Sequence, residues 1–279
     1  MSARLEETAY AKINLALHVR AREPDGYHSI ETLFAFAEDG DRLFVSEADD
    51  LRLAVTGPFA ADLDGENLVL KAAEALCSHF GIAEGAALTL DKRLPVASGI
   101  GGGSADAAAA IRLLVRWWGI EAPEDELLDI ASALGSDVPA CLGSEVARGT
   151  GRGDVLASQD GSGLAGMPLL LVNPGVPLST AAVYAAWDGT DRGPMPTASP
   201  LATAAQGRND LEAPAVALEP LVSEVLEFLG SAPGLFLSRM SGSGATCFAM
   251  FEREEDRDLT ARQVAALKPM WWHLATRLR

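Results

Sequence analysis

Between Thr8 and Val19 small and apolar residues fall at alternate positions, with Ala11, Ile13, Leu15, Leu17 and Val19 on one side. This period of two predicts a half-buried β-strand. Asp25-Gly26 marks a turn, and further strands are expected at residues 30–36, 42–47, 51–55 and 87–90, with a helix over 66–80. From Pro95 the texture changes to a glycine run, Ser98-Gly-Ile-Gly-Gly-Gly-Ser104, that leads straight into an alanine-rich helical stretch. Ser104 is the expected N-cap of that helix, with Asp106 in its first turn where a carboxylate suits the dipole. A second helix is expected after Pro123, with Glu124, Asp125 and Glu126 in its first turn and Gly135 as its stop. Residues 136–139 should leave it extended, because Val138 precedes Pro139.

Farther on, the pattern predicts strands at 169–172, 235–240 and 246–251 and helices at 218–229 and 259–267. Residues 189–207, rich in Gly, Pro, Ser, Thr and Ala, read as a long connection or flap. The first part thus mixes mostly antiparallel strands with helices, and a boundary within 151–166 divides the chain into expected domains at 1–158 and 159–279.

At 279 residues and 48% hydrophobic, the chain can build a sizeable core. Its 39 acidic and 22 basic residues give a formal charge of −17, which argues against nucleic acid or an anionic membrane as partner. The same field repels phosphates, so a phosphate site here needs backbone donors, a metal ion or a few placed cations. Cys77, Cys141 and Cys247 are widely spaced among apolar residues and read as buried free thiols of a reducing compartment. With no apolar leader and no uncharged apolar run near about 18 residues, a cytoplasmic location is expected.

The strongest chemical signal is the stretch from Pro95 to Ala108. Its glycines let backbone approach a ligand, and a helix N-terminus presents unpaired N–H groups with partial positive charge. Neither a Walker A lysine nor a third glycine of G-x-G-x-x-G is present. A plain helix-entry loop is the alternative, although four glycines in five positions carry a steep conformational cost. Asp137, between a helix stop and Pro139, is a candidate general base or a capping aspartate. Lys12, one of four lysines, is either a functional cation or a snorkelling strand residue. Asp25-Gly-Tyr27-His28 is a turn with a core tyrosine or an aromatic platform, and Ser241-Gly242-Ser243-Gly244 is a ligand wall or a tight hairpin.

Taken in order, these segments resemble the GHMP kinases. The resemblance rests on Ala11-Lys-Ile-Asn-Leu15, Asp25-Gly-Tyr-His28, Pro95 to Ala108, Leu134-Gly-Ser-Asp-Val-Pro139, Arg148-Gly-Thr-Gly151, Arg208-Asn-Asp-Leu-Glu212 and Met240-Ser-Gly-Ser-Gly-Ala245, nearly the whole chain. It implies a two-domain α+β fold, the N-terminal domain like the second domain of ribosomal protein S5 and the C-terminal one ferredoxin-like. It implies Lys12 and Asp137 as catalytic residues. ATP would be held by Lys92 and by Pro95, Val96, Ala97, Ser98, Gly99, Ile100, Gly101, Gly102, Gly103, Ser104 and Ala105. A cytidine-diphosphate-linked alcohol would be held by Asn14, Tyr27, His28, Asp137, Thr180, Gly242, Ser243 and Gly244. It further implies Mg²⁺ accompanying ATP, with Ser104 as a metal ligand, and a monomer or weak homodimer. Ala105 stands where family members often carry a second serine, and Ser98 and Ile100 replace a glycine and a leucine. A homoserine- or mevalonate-type kinase and a non-catalytic nucleotide-binding module are the alternatives.

Overall fold

The computed structural model describes residues 4–63 and 65–279. They form two compact units that interleave along the chain: residues up to 11, 39–96 and 101–144 make one, and 12–38, 97–100 and 145–279 make the other.

Two long strands, β1 (Arg4–Arg22) and β2 (His28–Ser46), pair with each other, and each contributes residues to both units. In the first unit follow β3 (Leu51–Thr56), α1 (Leu68–Phe80), β4 (Ala86–Asp91), α2 (Gly102–Trp118), α3 (Glu124–Leu134) and α4 (Val138–Gly143). Strand β4 lies parallel to β3 and antiparallel to the end of β2, in the register Leu43↔Leu90. Helices α1 and α2 pack together, and small residues on both, Ala72 and Ala73 on one and Ala107 to Ala110 on the other, are fully buried. Small side chains let the two backbones approach closely.

The second unit contains β5 (Ala147–Thr150), which pairs with the first half of β2, and β6 (Val155–Ser158) beside it. Then come β7 (Pro168–Asn173), α5 (Thr180–Ala185), α6 (Pro200–Gln206), α7 (Glu212–Leu218), α8 (Leu221–Gly230), β8 (Leu235–Met240), β9 (Cys247–Phe251), α9 (Glu254–Leu267) and β10 (Trp272–Arg277). Strands β10-β7-β9-β8 form an antiparallel sheet. Leu170, Val172, Cys247 and Ala249 of this sheet join Val222, Val225 and Leu229 of α8 and Val264 of α9 in one core.

The sequence pattern errs where tertiary context overrides it. Strands expected at 30–36 and 42–47 are one strand, β2. Strand β1 is not half-buried: Lys12, Asn14 and His18, on the face opposite Ile13 and Leu15, are as enclosed as the apolar residues. Residues 136–139 do not run extended. Asp137 is helical and α4 begins at Val138, because a proline in the first turn gives up an N–H that has no helical partner anyway. The expected 218–229 helix breaks at Glu219-Pro220 into α7 and α8, and α9 starts five residues earlier than its apolar period suggests. Residues 189–207 are no loose flap. They include α6, capped by Ser199, and are tied down by Arg148 to Met195 and Pro196 and by Glu31 to the Met195 N–H at 2.7 Å. Cys77 is half-buried, whereas Cys141 and Cys247 are buried, and all three are free thiols. Among the described residues no helix is long and apolar enough to cross a membrane.

Candidate active site

The first unit supplies a helix mouth and a cavity. Helix α2 begins at Gly102, and its N-cap is Gly101, three residues before the expected Ser104 and in the left-handed region at φ 63°. The first intrahelical bond is Ala105 N–H to Gly101 O at 2.8 Å, so the N–H groups of Gly102, Gly103 and Ser104 lie outside the helical ladder. Beside this mouth is a cavity of about 390 Å³ walled by Leu53, Val55, Leu63, Asn67, Leu68 and Gly103, a volume that suits a nucleoside. Ala105 is buried and contributes no polar group.

Beneath the mouth lies an ion cluster that the sequence pattern does not announce. Asp106 is not a solvated first-turn carboxylate. It is 3% exposed and accepts a hydrogen bond at 2.6 Å from the Lys92 ammonium, which also donates to Asp41 at 2.5 Å. The second Asp41 oxygen accepts the backbone N–H groups of Arg93 and Leu94, so Asp41 fixes the chain just ahead of Pro95. A Cβ at Gly102 would sit 3.1 Å from Lys92 Nζ, so the ammonium is directly under the helix start. Burial pushes the Asp106 carboxyl up, to about 8, and the Asp41 charge adds to that rise while Lys92 opposes it. Burial lowers the Lys92 pKa, but the two carboxylates outweigh it and raise the value overall. Two acids share one base here, and Asp106 is the one that burial drives toward its neutral form.

Asp137 is the N-cap residue of α4, yet its carboxylate makes no capping bond, which disfavours the capping reading. Its backbone carbonyl accepts the Cys141 N–H at 3.1 Å.

The second unit holds the other part of the glycine segment. Ala97, at φ 51°, and Gly99, at φ 80°, are both left-handed, and an alanine there stores strain. A Cβ on Gly99 would come within 2.5 Å of Ser241 O and 2.6 Å of Gly244 O, so the two loops touch backbone to backbone. The same contact accounts for Gly242, where an added Cβ would lie 2.9 Å from Gly99 O. Ser241 Oγ donates to Gly99 O at 3.0 Å and accepts the Asn14 N–H at 3.2 Å. Ile100 O accepts the Lys12 N–H at 3.0 Å. The Lys12 ammonium, 4% exposed, donates to Asn14 Oδ1 at 3.1 Å and stands 5.0 Å from the Phe34 ring centre. Asn14 Nδ2 in turn donates to Thr32 Oγ1 at 2.8 Å, which fixes the amide's orientation.

Thr180 and Ser243 pair through their hydroxyls at 2.8 Å. His28 packs on Tyr184 with ring centres 4.9 Å apart and on the edge of Trp187 at 5.7 Å. Tyr27 is 56% exposed and carries the Arg152 guanidinium 3.7 Å over its ring. Asn209 donates to the carbonyls of Met240 and Gly242, both at 2.8 Å, and so supports the Ser241–Gly244 loop from below. Among the described residues no three His, Cys, Asp or Glu side chains group as a metal site. Asp41 and Tyr184 were missed from sequence. Only Lys92, a lysine in a chain with four, hinted at a buried acidic partner.

The chain matches two family models, "GHMP kinases N terminal domain" over residues 67–145 and "GHMP kinases C terminal" over residues 190–269. It is 57% identical to a 4-diphosphocytidyl-2-C-methyl-D-erythritol kinase of Rhizorhabdus wittichii over 98% of this chain and 94% of the relative. The kinase of the same name from Sphingopyxis alaskensis is 47% identical over the full length of both. A crystal structure of 4-(cytidine 5'-diphospho)-2C-methyl-D-erythritol kinase superposes with a TM-score of 0.82 at 33% identity, covering 98% of this chain and 99% of that one. A homoserine kinase from Cytophaga hutchinsonii shares the fold, at TM-score 0.69, 16% identity and coverage of 98% of this chain and 95% of that one. The chain is a member of the GHMP kinase family.

Proposed function

We propose that this chain is an ATP-dependent kinase that phosphorylates the 2-hydroxyl of 4-(cytidine 5'-diphospho)-2-C-methyl-D-erythritol, a step of the non-mevalonate route to isoprenoid precursors. The observation that carries the reading is the glycine mouth of α2, with three N–H groups outside its ladder, opening beside a nucleoside-sized cavity. The end-to-end likeness to diphosphocytidyl-methylerythritol kinases selects the acceptor. Homoserine- and mevalonate-type acceptors have no comparable support, because those relatives share only the fold.

In-line phosphoryl transfer needs alignment, neutralisation of charge on the triphosphate and a route for the acceptor's proton. The backbone N–H groups at the start of α2, within the stretch from Pro95 to Ala105, receive phosphate oxygens. Lys92 acts from beneath, holding that helix start through Asp41 and Asp106. Lys12, oriented by Asn14, supplies a buried cation toward the transferring group. Asp137 accepts the proton that leaves the acceptor oxygen as the new P–O bond forms. Mg²⁺ bound with the nucleotide would neutralise charge on the phosphate oxygens. Among the described residues no cluster of carboxylates groups as a metal site, and Ser104, which carries the hydroxyl in the first turn of α2, would be the protein ligand of the ion.

On the acceptor side, His28 on Tyr184 forms an aromatic wall and Tyr27 an exposed lip for the cytosine ring. Thr180, Ser243 and the backbone of Gly242 and Gly244 offer hydrogen bonds to the substrate's polar tail. The chain works in the cytoplasm as a monomer or weak homodimer. Single-turnover transfer by Asp137→Asn and Lys12→Ala tests the chemistry. Each should lose about 10²–10⁴-fold in rate while still binding ATP. Near-wild-type rates in either variant remove that residue from the reaction.

A further inference from the structure

Among the described residues, one buried polar side-chain atom lining the cavity beside α2 has no partner. Of the polar side chains that line it, Glu66 is paired with Lys71 at 2.5 Å and Asn67 Oδ1 caps α1 by accepting the Val69 N–H at 2.9 Å. Asp106 lines it too. Its Oδ2 is bound to Lys92, but its Oδ1 is buried with no hydrogen-bond partner. An unmatched buried carboxyl oxygen is costly, so its persistence beside an open cavity points to a ligand group that completes it.

We propose that Asp106 Oδ1 hydrogen-bonds a sugar hydroxyl of the bound nucleotide and makes this kinase prefer a ribonucleotide donor. The inference rests on the nucleotide reading above and concerns the same cavity. Asp106 follows Gly103 by three residues, about 4.5 Å along the helix axis, so it stands one turn from the phosphate-binding mouth. The sugar is the part of a nucleotide joined to its phosphates, whereas the apolar walls from Leu53, Val55, Leu63 and Leu68 suit the flat faces of a base. A hydroxyl both donates and accepts, so it pairs with Oδ1 whether or not the carboxyl carries a proton. Lys92 and Asp41 keep the side chain from turning away, since Oδ2 is held at 2.6 Å.

The test is a set of dissociation constants, by titration calorimetry, for ATP, 2'-deoxy-ATP and 3'-deoxy-ATP on the wild-type chain, Asp106→Ala and Asp106→Asn. Wild type should bind ATP roughly ten- to a hundredfold more tightly than at least one deoxy analogue. Asp106→Ala should lose a similar factor for ATP and nothing further for that analogue. Asp106→Asn, which keeps an acceptor for Lys92 and a polar partner for the hydroxyl, should stay within about threefold of wild type for ATP. A purely structural role would weaken all three nucleotides alike. Losses that simply multiply, or equal wild-type affinity for all three nucleotides, overturn the proposal while leaving the kinase reading intact. The second of these outcomes needs no variant to fold. No binding of any nucleotide by the wild-type chain overturns both.

Discussion

Replacing Gly99 by alanine probes the contact between the two glycine loops. The residue sits at φ 80°, and the added Cβ would lie 2.5 Å from Ser241 O and 2.6 Å from Gly244 O. Left-handed backbone costs an alanine about 1–2 kcal/mol, and forcing a methyl into packed backbone costs about 1–3 kcal/mol more. The sum is about 2–5 kcal/mol, a large part of the roughly 5–15 kcal/mol that holds a typical domain together. Gly119 is the control. It is also left-handed, at φ 64°, but a Cβ there meets nothing within 4 Å, so Gly119→Ala should cost only the backbone strain. Urea unfolding followed by tryptophan fluorescence compares the two, and ATP titration of the folded fraction reports on the mouth. Gly99→Ala should be the less stable by about 1–3 kcal/mol and, where folded, should bind ATP more weakly. Equal midpoints and equal ATP affinity would show that the loops do not meet as described.

Lys92→Met leaves Asp41 and Asp106 facing each other without a cation, and loss of one partner from a buried ion cluster costs about 3–5 kcal/mol. A chemical-denaturation midpoint unchanged from wild type would contradict that. His18 is buried, and since its Nε2 accepts the Arg208 N–H at 3.2 Å, its proton sits on Nδ1, facing Gly193 O. Burial first, then Arg208, lowers its pKa below 6.5, so the unfolded chain binds more protons and stability falls as pH drops below about 6.5. His18→Gln should make that limb shallower between about pH 6.5 and 5, where His28, also lowered by burial and then by Arg22, supplies the rest and Glu31, itself lowered from 4.5, does not yet contribute; an unchanged profile refutes the assignment. Tyr184→Ala should raise the Michaelis constant for the cytidine substrate about tenfold or more, with the ATP constant unmoved, because a stacked base contact is worth about 1–3 kcal/mol. Equal changes in both constants would deny it a place at the acceptor.

The glycine stretch and the helices after Pro95 and Pro123 were legible because their signals are local: glycine freedom, a helix stop and an acidic first turn. The strand period of β1 was legible too, but it showed only the face bearing Ile13 and Leu15. Asn14 is met by Ser241 and Thr32 and Lys12 by Ile100 and Phe34, which alternation along one strand cannot reveal. Asp41 and Lys92 are 51 residues apart and meet only through the pairing of β2 with β4, so no local spacing announces them. The Gly99 contact with Ser241 is likewise a property of two loops. Glycines in both segments hinted at close approach without saying to what.

Transfer of labelled γ-phosphate from ATP to 4-(cytidine 5'-diphospho)-2-C-methyl-D-erythritol, run beside homoserine and mevalonate at equal concentration, tests the account most directly. The account requires rapid phosphorylation of the cytidine substrate at its 2-hydroxyl and rates at least about a hundredfold lower for the other two, an acceptor preference of about 3 kcal/mol. Preferred transfer to homoserine or mevalonate, or ATP binding with no transfer to any acceptor, would contradict it.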